Sequence, residues 1–160
     1  MKCLLFLLFM FIITSCFALD TNITSETENI PVLFSHLRHP TFLGYDRTFS
    51  PEVKIHYLIN KVEDILEISL PEGKTVNIVV LKNKKELNER RQNIIENKDK
   101  TIVLAFYHYK TNTIYVSKEN FTINSLVHEI THLILNNYYK QLMPNRISET
   151  MAEYIEDCFR

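Results

Sequence analysis

The run His128-Glu129-Ile130-Thr131-His132 has the residue types and spacing for metal chemistry. On a helix, side chains four apart share a face, so both imidazoles can reach one metal ion. Glu129 sits one residue beyond the first histidine. That offset carries its carboxylate past the metal toward a water the metal holds, where a general base belongs. A surface helix that merely carries two histidines is the plain alternative, and the flanking elements separate the two readings.

Downstream, a loop from Asn136 to Pro144 leads into a segment containing Ser148-Glu149-Thr150-Met151-Ala152-Glu153-Tyr154. Glu149 and Glu153 are four apart, so one helical face presents both carboxylates. With Glu156 and Asp157 they also fit a solvated acidic face. Upstream, Val103–Tyr109 and Thr113–Ser117 are rich in β-branched and aromatic residues around a polar Lys110-Thr111-Asn112 turn, which predicts a β-hairpin.

Taken together, residues 103–157 resemble the gluzincin metallopeptidases and related peptidase-MA-type proteins. The resemblance implies one zinc ion per chain, with His128, His132 and Glu149 as ligands and Glu129 as the catalytic base. It also implies that Glu153 orients His128, since a zinc histidine usually donates its other ring N–H to a carboxylate. Ala152 would let the two helices approach closely. Gluzincins pair substrate backbone with an edge strand ahead of the zinc helix, and Ala105-Phe106-Tyr107 resembles that strand. Two departures stand out: Thr150 replaces the usual glycine, and the gap from His132 to Glu149 is slightly short. The sequence ends at Arg160, where larger members continue into a domain supplying an oxyanion tyrosine or histidine. The expectation is a minimal, single-domain gluzincin. Ala105, Tyr107 and Tyr154 are its candidate substrate or oxyanion contacts. Tyr138, Tyr139 and His108 stand beside them, although packing is the better reading of any single aromatic.

The elements that must position these residues are legible from periodicity. Ser50-Pro51 is a helix start, serine at the N-cap and proline at the first position. Val53, Ile55, Leu58, Ile59, Val62, Ile65 and Leu66 then recur at helical spacing to about Leu70, with Pro71 and Gly73 as terminators. Thr75–Leu81 is a strand by composition, and Lys84 to about Asn97 a charged surface helix. The zinc helix spans about Thr122 to Asn136, its core face being Leu126, Val127, Ile130, Leu133 and Ile134. The last helix spans about Asn145 to Cys158, with Ile147, Met151 and Ile155 as its apolar stripe. The predicted fold class is α+β. It is a zincin-like single domain over 51–160, a small mixed sheet whose hairpin edge packs on the active-site helix and the third-ligand helix after it.

The first eighteen residues read as a signal peptide: Lys2, an apolar run from Leu4 to Ile13, then small and polar residues. Cleavage after Ala18 would release a soluble protein. Ile13-Thr14-Ser15-Cys16 also resembles a bacterial lipobox, which would make Cys16 a lipidated N-terminus. Either route places the mature protein in the envelope or outside the cell. Residues 19–50 are expected to form a leader, polar and flexible over 19–30 and extended over 31–50, with an inhibitory pro-segment as the minority reading of the latter.

The formal net charge of −1 and the lack of a basic stripe argue against a nucleic-acid partner. The expected partner is a peptide or protein substrate, with membrane attachment only through Cys16. Cys158 is left without an intramolecular partner, so no disulfide framework is expected. Arg146 reads as a surface cation, and His36 and His39 as loop histidines. Asn22-Ile23-Thr24 and Asn120-Phe121-Thr122 match the glycosylation sequon. Two further functions fit the same residues: a zinc-binding module without catalysis, and a zinc amidase acting on a cell-wall amide.

Overall fold

The computed structural model describes residues 20–25, 50–95 and 102–160. Residues 1–19, with the expected signal peptide, Cys3 and Cys16, and the stretch 26–49 with His36 and His39 lie outside the described residues.

Helix α1, Pro51–Leu66, begins as its sequence dictates: the Ser50 hydroxyl accepts the Val53 N–H, and Pro51 occupies the first turn. It ends earlier than Leu70 because Glu67 turns left-handed at φ 55°. The chain then folds back, so that the Ile68 N–H reaches the Glu63 carbonyl at 3.3 Å and the Leu70 N–H its carboxylate at 2.6 Å. Strand β2, Thr75–Leu81, leads to α2, Lys84–Ile94, capped by Asn83. The hairpin follows as β3, Ala105–His108, and β4, Thr113–Ser117. Its turn closes through a left-handed Asn112 (φ 51°), a conformation asparagine tolerates better than most residues.

Residues 20–25 correct the sequence reading. Part of the expected flexible leader is strand β1, Asp20–Ser25, paired parallel with β2 in the register Ile23 to Ile78. Its one aliphatic side chain, Ile23, packs on the core, and Thr21 bonds His56 of α1 at 3.1 Å. A polar strand suits a sheet edge, where one row of backbone groups meets water. The domain therefore takes in residues ahead of position 51.

The sheet order is β1-β2-β4-β3, parallel except for β3, which runs antiparallel to β4. Alternation along the strands divides the apolar residues between two faces. Val76, Ile78, Val80, Ile114 and Val116 pack against α1 and α3. On the opposite face Leu81, Phe106 and Tyr115 pack with Leu87 of α2, the Phe106 and Tyr115 rings stacked at 4.7 Å.

Helix α3, Ile123–Tyr138, opens on a capping box between Thr122 and Ser125. Its five predicted core residues, Leu126, Val127, Ile130, Leu133 and Ile134, are all fully buried. Helix α4, Asn145–Cys158, packs across it through a stripe that shares Ile155 with the expected one but is rotated away from Ile147. Ser148, Ala152 and Ile155 are buried, with Phe159 just beyond, whereas Ile147 is half exposed. Among the described residues, no helix is long and apolar enough to cross a membrane. The architecture is a mixed α+β domain.

Candidate metal centre

The buried apolar face of α3 turns the opposite face, carrying His128 and His132, toward α4. The two rings lie 4.7 Å apart, nearly perpendicular. Both Nε2 atoms point at one carboxylate: His128 Nε2 is 3.3 Å from Glu149 Oε2, and His132 Nε2 is 3.6 Å from Glu149 Oε1. Ligand atoms of these three residues all lie within 4.8 Å of one another, so they could hold a metal ion.

The outward nitrogens are engaged as well. His128 Nδ1 donates to Glu156 Oε1 at 2.9 Å, and His132 Nδ1 sits 2.6 Å from the Ser148 hydroxyl. An ionised carboxylate only accepts, so Glu156 fixes the His128 proton on Nδ1 and leaves Nε2 with a bare lone pair. With Ser148 as acceptor, His132 takes the same tautomer. Burial, and behind it the charge His128 can carry, pushes the His132 pKa down to about 4, so the ring is neutral near pH 7. Two imidazole lone pairs and a carboxylate then converge, a donor set that fits a divalent cation with an open coordination position.

Glu129 lies beside this cluster, 8% exposed. Burial raises its pKa to about 7, against the opposing pull of His128 and of a hydrogen bond from the Tyr107 backbone N–H. That bond has a topological consequence. β3 is the outermost strand, and its antiparallel partner β4 takes alternate residues. With the Tyr107 N–H turned outward to Glu129, the backbone of Ala105 also faces the free edge. A cleft of about 470 Å³ runs along this edge, lined by Ala105, Tyr107, Glu129 and the three metal-site residues among others.

Two sequence-based expectations fail here. Glu153 does not orient His128: it is exposed, and Glu156 takes that place. The reason is helical phase. Seven residues bring Glu156 to within about 20° of Glu149, on the side of the packed stripe, whereas four carry Glu153 about 40° past it, toward solvent. Glu156 was legible as the residue seven beyond Glu149, but four-residue spacing is the more familiar signal. Tyr154 also departs: it is 60% exposed and lines no part of the cleft. The Tyr107 side chain serves packing, its hydroxyl donating to Asn112 Oδ1 at 2.9 Å and accepting from Asn137 at 3.2 Å. Only its backbone reaches the site. Ser148, in the segment 148–154, carries no role by sequence, yet its hydroxyl completes the surroundings of His132. His108 bonds Thr111, and Tyr138 and Tyr139 meet edge to face and do not line the cleft.

Fold and site together define an α+β domain with a three-residue candidate metal centre beside a buried glutamate. In comparisons with known proteins, no family model, no curated protein and no solved structure matches the chain.

Proposed function

We propose that this protein is a zinc-dependent peptidase of zincin-like design, in which His128, His132 and Glu149 hold the metal. The observation that carries the reading is the convergence of those three groups next to Glu129, itself tied to the free edge of β3. Two nitrogens and one carboxylate match the ligand chemistry of catalytic zinc, and Glu156 and Ser148 supply the outer partners that such histidines need. When bound, zinc supplies Lewis acidity, polarising a carbonyl and lowering the pKa of a water.

The chain's own residues account for the rest. Glu129 accepts a proton from the attacking water as its oxygen bonds to the scissile carbon. It delivers that proton to the leaving nitrogen as the C–N bond breaks. A carboxylate with its pKa near neutrality suits both transfers. The outward backbone groups of Ala105 and the remaining free groups at Tyr107 receive an extended peptide by strand addition. That positions the scissile bond over α3. The signal-like first eighteen residues support action outside the cytosol, soluble or anchored through Cys16.

The test is zinc content by elemental analysis, beside His132→Ala and Glu149→Ala. Near one zinc per chain, lost in both variants while circular dichroism is unchanged, supports the site; cleavage of a peptide library then tests the reaction. No zinc uptake from micromolar solution would refute the reading.

A further inference from the structure

The turn joining α3 to α4 is rich in exposed apolar side chains. From Tyr138 to Ile147 it exposes four large apolar side chains: Tyr138 (46%), Tyr139 (47%), Leu142 (66%) and Ile147 (49%). The two tyrosine rings meet edge to face at 5.0 Å, so they stand side by side at the surface. Lys140 and Arg146 are exposed in the same stretch, and no aspartate or glutamate occurs between Glu129 and Glu149. Surface turns are ordinarily polar, and contiguous exposed apolar groups mark an interaction site.

The turn is also fixed. The Gln141 N–H bonds the Asn136 carbonyl at 3.2 Å, the Met143 N–H bonds the Asn136 side chain at 2.9 Å, and Lys140 is left-handed at φ 55°. Leu142, the most exposed of the four, lies in mid-turn at the rim of the cleft. The outer face of α4 farther on carries Glu153 and Asp157, both exposed, so along that helix the cationic apolar surface ends with the turn.

We propose that the turn 138–147 docks on an anionic lipid bilayer. The chemistry is that of an interfacial anchor. Tyrosine rings settle at headgroup depth, an aliphatic tip enters the acyl boundary, and flanking cations meet lipid phosphates. Charge complementarity chooses the anionic surface: Lys140 and Arg146 are both exposed, and the acidic residue nearest to them in sequence, Glu149, turns its carboxylate to His128 and His132. Leu142 and Met143 also line the cleft, so docking presents the cleft mouth to material at the membrane surface. The attachment is independent of the peptidase reading and of any lipid on Cys16.

The chain contains no tryptophan, so Leu142→Trp places a single reporter at the tip. Full-length protein is mixed with phosphatidylglycerol–phosphatidylcholine vesicles carrying brominated acyl chains. Glu72→Trp, on the exposed turn before β2, is the control position. The apolar N-terminal run can bring either variant to a vesicle, but only contact at the labelled site quenches its emission. The expected result is a blue shift and strong quenching at position 142 with none at position 72. Partitioning should fall about fivefold for each of Lys140→Gln and Arg146→Gln in the Leu142→Trp background. Quenching at 142 no greater than at 72 overturns the proposal and leaves the turn to a protein partner. Equal quenching on purely phosphatidylcholine vesicles, insensitive to both charge substitutions, overturns it as well.

Discussion

Helix α3 carries two polar clusters, one around His128 and His132 and one around Asn137, and they are built on opposite principles. At Asn137 every partner is internal. Its amide donates to the Leu133 carbonyl at 2.8 Å, to Asn112 Oδ1 at 2.7 Å and to the Tyr107 hydroxyl at 3.2 Å. Asn112 passes the network on to the Thr75 carbonyl at 2.6 Å. Donors meet acceptors throughout, and the cluster bolts the hairpin to α3. At the histidines, donors meet acceptors only on the outer side, at Glu156 and Ser148. On the inner side, acceptor faces acceptor at 3.3 and 3.6 Å, longer than a good hydrogen bond. A closed polar network is structure; acceptors gathered on one point suit a cation.

The largest effect expected from that contrast is chemical. Glu129→Gln keeps the shape of the side chain, and with it the Tyr107 contact, but cannot take up a proton. Peptide cleavage should fall by about 10²–10⁴-fold, with zinc content and thermal midpoint unchanged. A variant that cleaves at the parent rate would remove Glu129 from the chemistry.

Next comes the outer partner of His128. Glu156→Ala should weaken zinc affinity by about 10–100-fold, read by competition with a chelator of known affinity, while Glu153→Ala leaves it unchanged. The reverse order would restore the assignment made from sequence. This pair also shows what was legible in the chain and what was not. The core face of α3 and its start near Thr122 follow from local rules acting within a few residues, whereas the place of Glu149 rested on the resemblance of residues 148–154 to the gluzincin segment. Which carboxylate meets His128 depends on how α4 rolls against α3, and that is set by Ser148, Ala152 and Ile155 burying in preference to Ile147. Strand β1 was missed for a similar reason. Asp20–Ser25 is too polar to announce a strand, and it becomes one because β2 offers a parallel edge and Ile23 reaches the core. Tertiary context decides such elements.

The closed cluster should respond in stability and not in metal binding. Asn137→Leu removes the hydrogen bonds of the amide and leaves the half-buried Asn112 and Tyr107 oxygens short of a partner, a loss of about 1–3 kcal/mol. Urea denaturation of the zinc-free protein measures it, and zinc affinity should stay within twofold of the parent. If the substitution stripped zinc while leaving stability intact, the division of α3 into a structural and a chemical cluster would be wrong.

The smallest effect is expected at Tyr154, and it bears on how far the candidate site extends. A phenol on the third-ligand helix is an attractive oxyanion donor by sequence, yet five residues from Glu149 is nearly one and a half turns, which aims it about 140° away from that ligand. Its 60% exposure and its absence from the cleft lining agree. Tyr154→Phe deletes only the hydroxyl, so stability should move by less than about 0.5 kcal/mol and the peptide cleavage rate should not change. A large drop in kcat with unaltered zinc content would mean that α4 rotates when substrate binds, bringing Tyr154 over the site. The Glu156 contact to His128 would then have to break, and the Glu156→Ala and Glu153→Ala affinities would converge in the presence of a bound peptide.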